Sequence, residues 1–301
     1  MSHTALTLDG MIAKGILSGF GGLMIFAAVA QAQLVTSLRL NKNQYVAGES
    51  VIATISITNH SGQELLFYGD GRTEWLALNV KNNRGNLANP RVKKSFGSMK
   101  IGAGQSMSRE IDLAQHFLLT EQGNYSVSAL IRMPGGGVES SATNRVLFNL
   151  NPGRLYWSQK VGIVGKPGQT REFRVLQFSG DQNTQIYVQI IENRTGIPIR
   201  TYPLGNMLSI RKPAVTVDGN QRMHVFFLAT PAMWVHCMID TDGNIVNRDI
   251  HQRGPQGDPK LMTFGDGSVR VMNSIPYDAA AVAAARSQIR KISERPSVVY
   301  D

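Results

Sequence analysis

The sequence predicts an all-β chain of two sheet-rich domains followed by a C-terminal helix, and three observations predict it. Asp218-Gly219-Asn220, Asp242-Gly243-Asn244 and Asp266-Gly267-Ser268 recur at one spacing of 24 residues. Asp-Gly between apolar, β-branched residues marks a hairpin, because both residues tolerate the φ > 0 conformation of a tight turn. The first half carries a succession of short runs that alternate apolar with polar, the pattern of strands with one face in a core. Charged residues make up only 17% of the chain, below the usual quarter, which argues against disorder. At 301 residues the chain suits two domains at roughly 150 residues each.

Residues 1–32 read as an address. Gly15 to Ala30 is apolar or small apart from Ser18, follows Lys14, and ends in Ala30-Gln31-Ala32. Those are the charged, apolar and cleavage parts of a secretory signal, which would leave a mature chain from Gln33. An uncleaved anchor is the rival, since the run approaches the ~20 residues needed to span a bilayer. Gly15, Gly19, Gly21 and Gly22 disfavour a helix of the folded core. The expected location is periplasmic or secreted, in a bacterium. Cys237 is the single cysteine, so no intramolecular disulfide and no cysteine-based metal spacing arises.

The first domain, 33–150, is expected to hold seven strands: Val35–Leu40, Val51–Asn59, Glu64–Tyr68, Trp75–Asn82, Ser106–Leu113, Asn124–Met133 and Arg145–Leu150. Val51, Ala53, Ile55 and Ile57 alternate against Thr54, Ser56 and Thr58, with turns supplied by Gly48-Glu49 and His60-Ser61-Gly62. Tyr125, opening a late strand, has the setting of a tyrosine corner, in which the hydroxyl ties back to the upstream chain. On Tyr45-Val46-Ala47-Gly48-Glu49-Ser50-Val51, Ile57-Thr58-Asn59-His60-Ser61-Gly62 and Asp112-Leu113 leading to Gly123-Asn124-Tyr125, the domain resembles the Ig-like β-sandwiches of bacterial exported proteins, of macroglobulin-like and BsuPI-like type. That resemblance implies a sandwich rather than an activity. One branch contains proteinase inhibitors, which makes inhibition an alternative function, although no inhibitory loop is identifiable.

With 31 Lys+Arg against 21 Asp+Glu the formal charge is +10, a field that favours anionic partners. The charges are scattered, as solubility alone requires. The densest group is Lys81, Arg84, Arg91, Lys93, Lys94 and Lys100, with no acidic residue among them. Lys93 and Lys94 are its binding candidates, because loops on a sandwich carry binding more often than strands do. Aromatic interleaving is limited to Phe96, so no nucleic-acid partner is expected.

Pro152-Gly153 marks the boundary with the second domain, 153–276. Stepping upstream by 24 residues from Asp218 reaches the turn Asn193-Arg194-Thr195-Gly196 and then Thr170 beside Pro167-Gly168. Five hairpins result, in a regular meander that resembles the hairpin repeats of β-propellers. Two hairpins equal one blade, so five fit a closed ring poorly; a barrel, a propeller fragment or an oligomer paired through an open sheet edge would each resolve the count. With a turn at Pro231, Met223, Val225 and Phe227 share a face with Val235, Cys237 and Ile239, continuing to Val246 and Ile250, and that face is core. The other face carries His224, Phe226, Leu228, Trp234, His236 and Met238 and is also largely apolar. A sheet covered on both sides is expected of stacked blades rather than of a small barrel. Cys237 reads as a small buried hydrophobe. In the closing segment, 277–301, Asp278 is the expected N-cap of a helix over Ala279–Ser293 that Pro296 ends.

No nucleophile elbow, zinc-protease, Walker, EF-hand or dinucleotide fingerprint occurs, so no catalytic residue, cofactor or metal ligand is assigned. The one constellation lies on the second face. If Asp242-Gly243 forms a two-residue loop, His236 stands opposite Asp249 and Trp234 opposite His251, with His224 diagonal to His236. A three-residue loop would bring Arg248 opposite His236 instead. His224, Trp234, His236 and Asp249 are therefore the binding candidates, for a metal, a sugar or acid–base work. The reading is an exported, non-catalytic binding or envelope-associated protein whose partner is a protein or glycan of the cell envelope. The main alternative, a glycan-processing or other hydrolytic enzyme, would want paired carboxylates, for which Asp240 and Asp249 are the nearest.

Overall fold

The computed structural model describes residues 33–69, 74–91, 95–134, 140–180, 183–278, 280, 283 and 284. The expected signal segment, 1–32, lies outside the described residues, as does nearly all of the expected C-terminal helix. Of its start, Asp278 Oδ1 accepts from Ala280 N at 2.9 Å, the contact of a capping side chain. The described residues belong to one compact unit, and they are all-β apart from the four-residue α1 (Leu113–His116) and the beginning of the C-terminal segment.

The first half contains β1 (Leu34–Leu40), β2 (Gln44–Val46), β3 (Ile52–Asn59), β4 (Leu65–Phe67), β5 (Leu76–Asn82), β6 (Met99–Ile101), β7 (Ser106–Asp112), β8 (Gly123–Arg132), β9 (Ser140–Ala142) and β10 (Val146–Asn151). All seven expected strands are present. The additions β2, β6 and β9 are three residues each, too short to display a period of two. One sheet runs β1-β3-β7; another runs β2-β10-β8-β5, with β9 on β8. Both contribute to one core, into which β3 sends Ala53, Ile55 and Ile57, all essentially inaccessible. Tyr125 donates its hydroxyl to the Glu121 carbonyl at 3.1 Å, tying the start of β8 to the preceding loop as its position predicts.

Gly153, at φ 70°, turns the chain from β10 into β11 (Arg154–Ile163). A meander follows through β12 (Lys166–Ser179), β13 (Thr184–Glu192) and β14 (Pro198–Asn206). A second sheet is built from β15 (Ala214–Val217), β16 (Met223–Thr230), β17 (Met233–Ile239) and β18 (Ile245–Arg253). Beyond these, β19 (Lys260–Thr263) pairs with β20 (Val269–Met272), and β21 (Ser274–Pro276) returns to the end of β18. The two large sheets share a core, Phe173, Val175, Val188 and Ile190 from one and Met223, Val225, Phe227, Val235, Cys237 and Ile239 from the other. The face read around Pro231 is therefore the core face. Its expected extension is not: Val246 and Ile250 are 49% and 37% exposed. Val246 falls in a bulge of β18, which removes it from the alternation, and β18 runs at the margin of the sheet, where β21 meets only His251 to Arg253.

The Asp-Gly repeat also needs correction. Each hairpin closes through a five-residue loop with the same two backbone bonds. Asp218 N donates to Arg222 O and Gln221 N to Asp218 O; Asp240 and Gly243, then Phe264 and Gly267, repeat that pair. The left-handed residue is Gln221 (φ 60°) in the first loop, Gly243 (79°) in the second and Gly267 (78°) in the third. In the first loop Asp-Gly opens the turn, whereas in the others it fills the third and fourth places. Equal spacing in sequence thus hides a shift in phase, and none of the three is a two-residue turn.

The two halves meet through polar contacts over a small apolar cluster of Val46, Leu176, Phe178 and Tyr187. Lys42 Nζ reaches Glu49 Oε1 at 2.6 Å and the Tyr187 hydroxyl at 3.3 Å. Gln189 Nε2 donates to the Ala47 carbonyl and to Thr201 Oγ1, both at 3.1 Å.

Candidate functional site

The register of β17 against β18 decides whether the second face carries a site. His236 stands opposite Asp249 and Trp234 opposite His251. The loop at Asp240–Asn244 is longer than two residues, which alone would shift the pairing. The bulge at Val246 adds one residue to β18 and restores it. Loop and bulge cancel, so the expected partners meet for a reason different from the one that predicted them.

The face is covered. Phe226, Leu228 and Trp234 form a buried cluster with Leu208, Leu261 and Val271, the last two supplied by the β19–β20 hairpin. Trp234 is 2% exposed, so its ring offers no open platform for a sugar, and its Nε1 is buried without a partner. His224 and His236 are buried beside it, with stacked rings 5.1 Å apart.

A polar chain threads these rings. Asp218 Oδ2 accepts from Arg222 Nε at 3.0 Å and lies 3.3 Å from His224 Nε2. His224 Nδ1 in turn lies 3.0 Å from His236 Nε2. Burial works to raise the Asp218 pKa, but the Arg222 N–H, His224 and the Arg222 guanidinium outweigh it and hold the carboxyl below its ordinary value. Burial pushes His224 down, against the pull of Asp218. It also pushes His236 down to about 4, helped by its histidine neighbours and opposed by Asp249. Burial likewise lowers His251. With Asp218 ionised and the rings neutral, the proton order follows: His224 donates from Nε2 to the carboxylate, so its Nδ1 accepts from His236 Nε2–H.

Asp249 is exposed, and its Oδ2 accepts from Asn247 Nδ2 at 2.6 Å. His251 Nδ1 lies 3.1 Å from Ser274 Oγ, while His251 Nε2 is buried without a partner. One ring nitrogen from each of His236 and His251 and one Asp249 oxygen lie within 4.8 Å of one another. His251 stands opposite Trp234, as the sequence predicts, and its two-residue offset from Asp249 on one strand puts the two on a shared face. Asp240 does not join them. Its oxygens accept from Asp242 N, Asn244 N and Asn244 Nδ2 within its own loop, and it lies four residues along β17 from His236, about 13 Å at strand rise.

Beside the chain, the first and third Asp-Gly turns touch. Gly219 N donates to Gly267 O at 2.9 Å, and a Cβ on Gly267, which sits at φ 78°, would lie 3.3 Å from Gly219 Cα, a tight contact that a larger residue would have to open by a few tenths of an ångström. The contact edges a cleft of about 350 Å³ that reaches Asp218 and His224.

A larger cleft, about 710 Å³, opens where β11 follows β10. Arg154, Arg211 and Lys212 line it together with Tyr156 and Phe178, and its described lining contains no carboxylate. Arg211 is shared with Asp258 at 2.5 Å. Nothing in the sequence marked this group, whose members lie up to 58 positions apart (154 to 212). The basic-loop candidates Lys93 and Lys94 lie outside the described residues; of their neighbours, Lys100 is paired with Glu64 at 3.0 Å.

No protein-family model matches the chain, and no curated protein matches it. Among solved structures it is similar to the crystal structure of Spo0M, a sporulation control protein from Bacillus subtilis, at 14% identity and a TM-score of 0.27, over 56% of this chain and 83% of that one.

Proposed function

We propose that this chain is an exported, non-catalytic binding protein of the bacterial cell envelope, and that its ligand is an anionic glycan held in the Arg154–Arg211–Lys212 cleft. In this reading the first half is an Ig-like sandwich and the second a pair of propeller-like blades. The tyrosine-corner contact of Tyr125 supports the former, and the two stacked meanders support the latter. The observation that carries the function is the cleft. Its volume falls in the range of ligand sites, roughly 300–1,000 Å³, and Arg154, Lys212 and the Asp258-paired Arg211 line it beside the half-buried ring of Tyr156. Guanidinium groups pair bidentately with carboxylate or sulfate, and aromatic faces cover the apolar faces of sugar rings.

The test is binding of the full chain to an immobilised acidic polysaccharide and to a neutral one of equal length. Retention on the acidic polymer alone is expected, weakening as salt rises because the contacts are solvent-screened. The Arg154→Ala/Lys212→Ala double variant should bind at least about tenfold more weakly, the loss of two charge-assisted contacts. Equal retention of both polymers, or an unchanged double variant, would refute the assignment.

A further inference from the structure

We propose that His236, Asp249 and His251 form a binding site for a divalent transition-metal ion of the zinc class, seated on the β17–β18 ladder and independent of the basic cleft. Two imidazole nitrogens and a carboxylate oxygen are a donor set that Zn²⁺ takes in three-ligand sites with an open fourth position. Among the described residues these three side chains bring their donor atoms within 4.8 Å of one another. Ligands held 2.0–2.2 Å from a common tetrahedral ion are about 3.5 Å apart, so closing the site takes a side-chain adjustment. Asp249, exposed and on the ladder's surface, is the group able to make it.

Two further observations point to a missing ligand. A buried ring nitrogen without a hydrogen-bond partner is costly and rare, and His251 Nε2 is one, although Ser274 engages the same ring at Nδ1. An ion would satisfy Nε2, with Ser274 as the outer partner that fixes the ring. His236 is oriented in the same way. Its Nε2 is engaged by His224, which is held by Asp218, which is held by Arg222. That chain leaves the His236 Nδ1 lone pair as the one available for coordination. Metal-binding histidines characteristically give their other nitrogen to a carboxylate-anchored partner, and here the anchor acts through one intervening ring.

The full chain, freed of metal by chelation, should take up one Zn²⁺ in calorimetry and one Co²⁺ with the visible absorption of tetrahedral cobalt. Asp249→Asn and His251→Gln should each weaken Zn²⁺ binding at least about 100-fold. His224→Gln should weaken it by about 10- to 100-fold, the usual cost of losing an outer partner. His60→Gln, on the turn after β3, should leave it unchanged. Circular dichroism checks that His251→Gln and His224→Gln fold; Asp249 is exposed, so Asp249→Asn keeps the test decisive if they do not. Failure of the full chain to bind either ion stoichiometrically, or equal affinity in Asp249→Asn and the parent, overturns the site.

Discussion

The β16–β17 hairpin is buried on both faces, and the two faces are buried for different ends. One sends Met223, Val225, Phe227, Val235, Cys237 and Ile239 into the core shared with the opposing meander, all at 4% exposure or less. The other sends Phe226, Leu228 and Trp234 under the small β19–β20 hairpin and places His224 and His236 alongside them. The first face is satisfied by packing. The second spends part of its burial on rings that must find partners, and two of its neighbours, Trp234 Nε1 and His251 Nε2, do not. Unmet polar groups under cover are what set the second face apart from the first.

The sharpest way to break this contrast is to truncate equivalent rings on the two faces. Phe227→Ala removes a core ring that is 2% exposed and should cost about 3–5 kcal/mol, the usual price of a large-to-small change in a well-packed interior. Phe226→Ala, next in sequence, should cost less, because the cluster beneath the β19–β20 hairpin is smaller and its cover can settle into the space. Urea denaturation of both variants decides it; a larger loss for Phe226→Ala would mean that the second face is the principal core.

The next effect tests the polar chain. Asp218 Oδ1 accepts from Asn220 N and Arg222 N, while Oδ2 serves Arg222 Nε and His224. Asp218→Ala leaves those buried or half-buried donors without an acceptor and should cost about 1–3 kcal/mol. Asp240→Ala removes a carboxylate with similar loop contacts in an exposed setting, where water can replace it, and should cost less. Equal losses would show that Asp218 is turn chemistry only.

These pairs also show what could be read before the fold was known. Alternation located the core face, because a strand's side-chain period is two wherever one face is buried. It also located the partner of His236, although through compensating errors: neither the five-residue loop at Asp240–Asn244 nor the bulge at Val246 leaves a mark in composition. The phase of the turns was hidden because Gln221, not a glycine, takes the left-handed position in the first loop. The basic cleft was illegible altogether. Arg154, Arg211 and Lys212 converge only because β11 and the segment after β14 lie side by side in the fold, and no local period encodes that.

The core face carries its own titration signature, at alkaline pH. Burial pushes Cys237 up from its ordinary 9.0 to about 11 and Tyr202 up to about 12. A group whose pKa is raised by folding stabilises fully below its unfolded value and loses that contribution as pH climbs through the folded one. The contribution of these two groups should therefore be flat up to about pH 9 and fall between pH 9 and 12. At pH 10 the Cys237 share is about 1 kcal/mol, since one pKa unit is worth 1.36 kcal/mol. Cys237→Ala should shorten this limb whatever it does to stability at pH 7. At pH 8 the native thiol should resist a thiol reagent that titrates one thiol per chain in denaturant. Reaction of the native protein at the denatured rate would place Cys237 outside the core.

The smallest effect is the most direct test of where the core face ends. By alternation across the Asp242-Gly243 turn Val246 belongs with Cys237 and Ile239, and a buried valine at the edge of that cluster would cost more than 1 kcal/mol on replacement by serine. The bulge instead puts its side chain 49% into solvent. Val246→Ser should then shift stability by no more than about 0.5 kcal/mol, the range of surface substitutions. It should also leave the His236–Asp249 register intact, because the bulge is set by chain count rather than by what its side chain packs against. A loss of stability near that of a core valine, accompanied by lost Zn²⁺ binding, would show that the register depends on Val246 after all and that Arg248, not Asp249, faces His236.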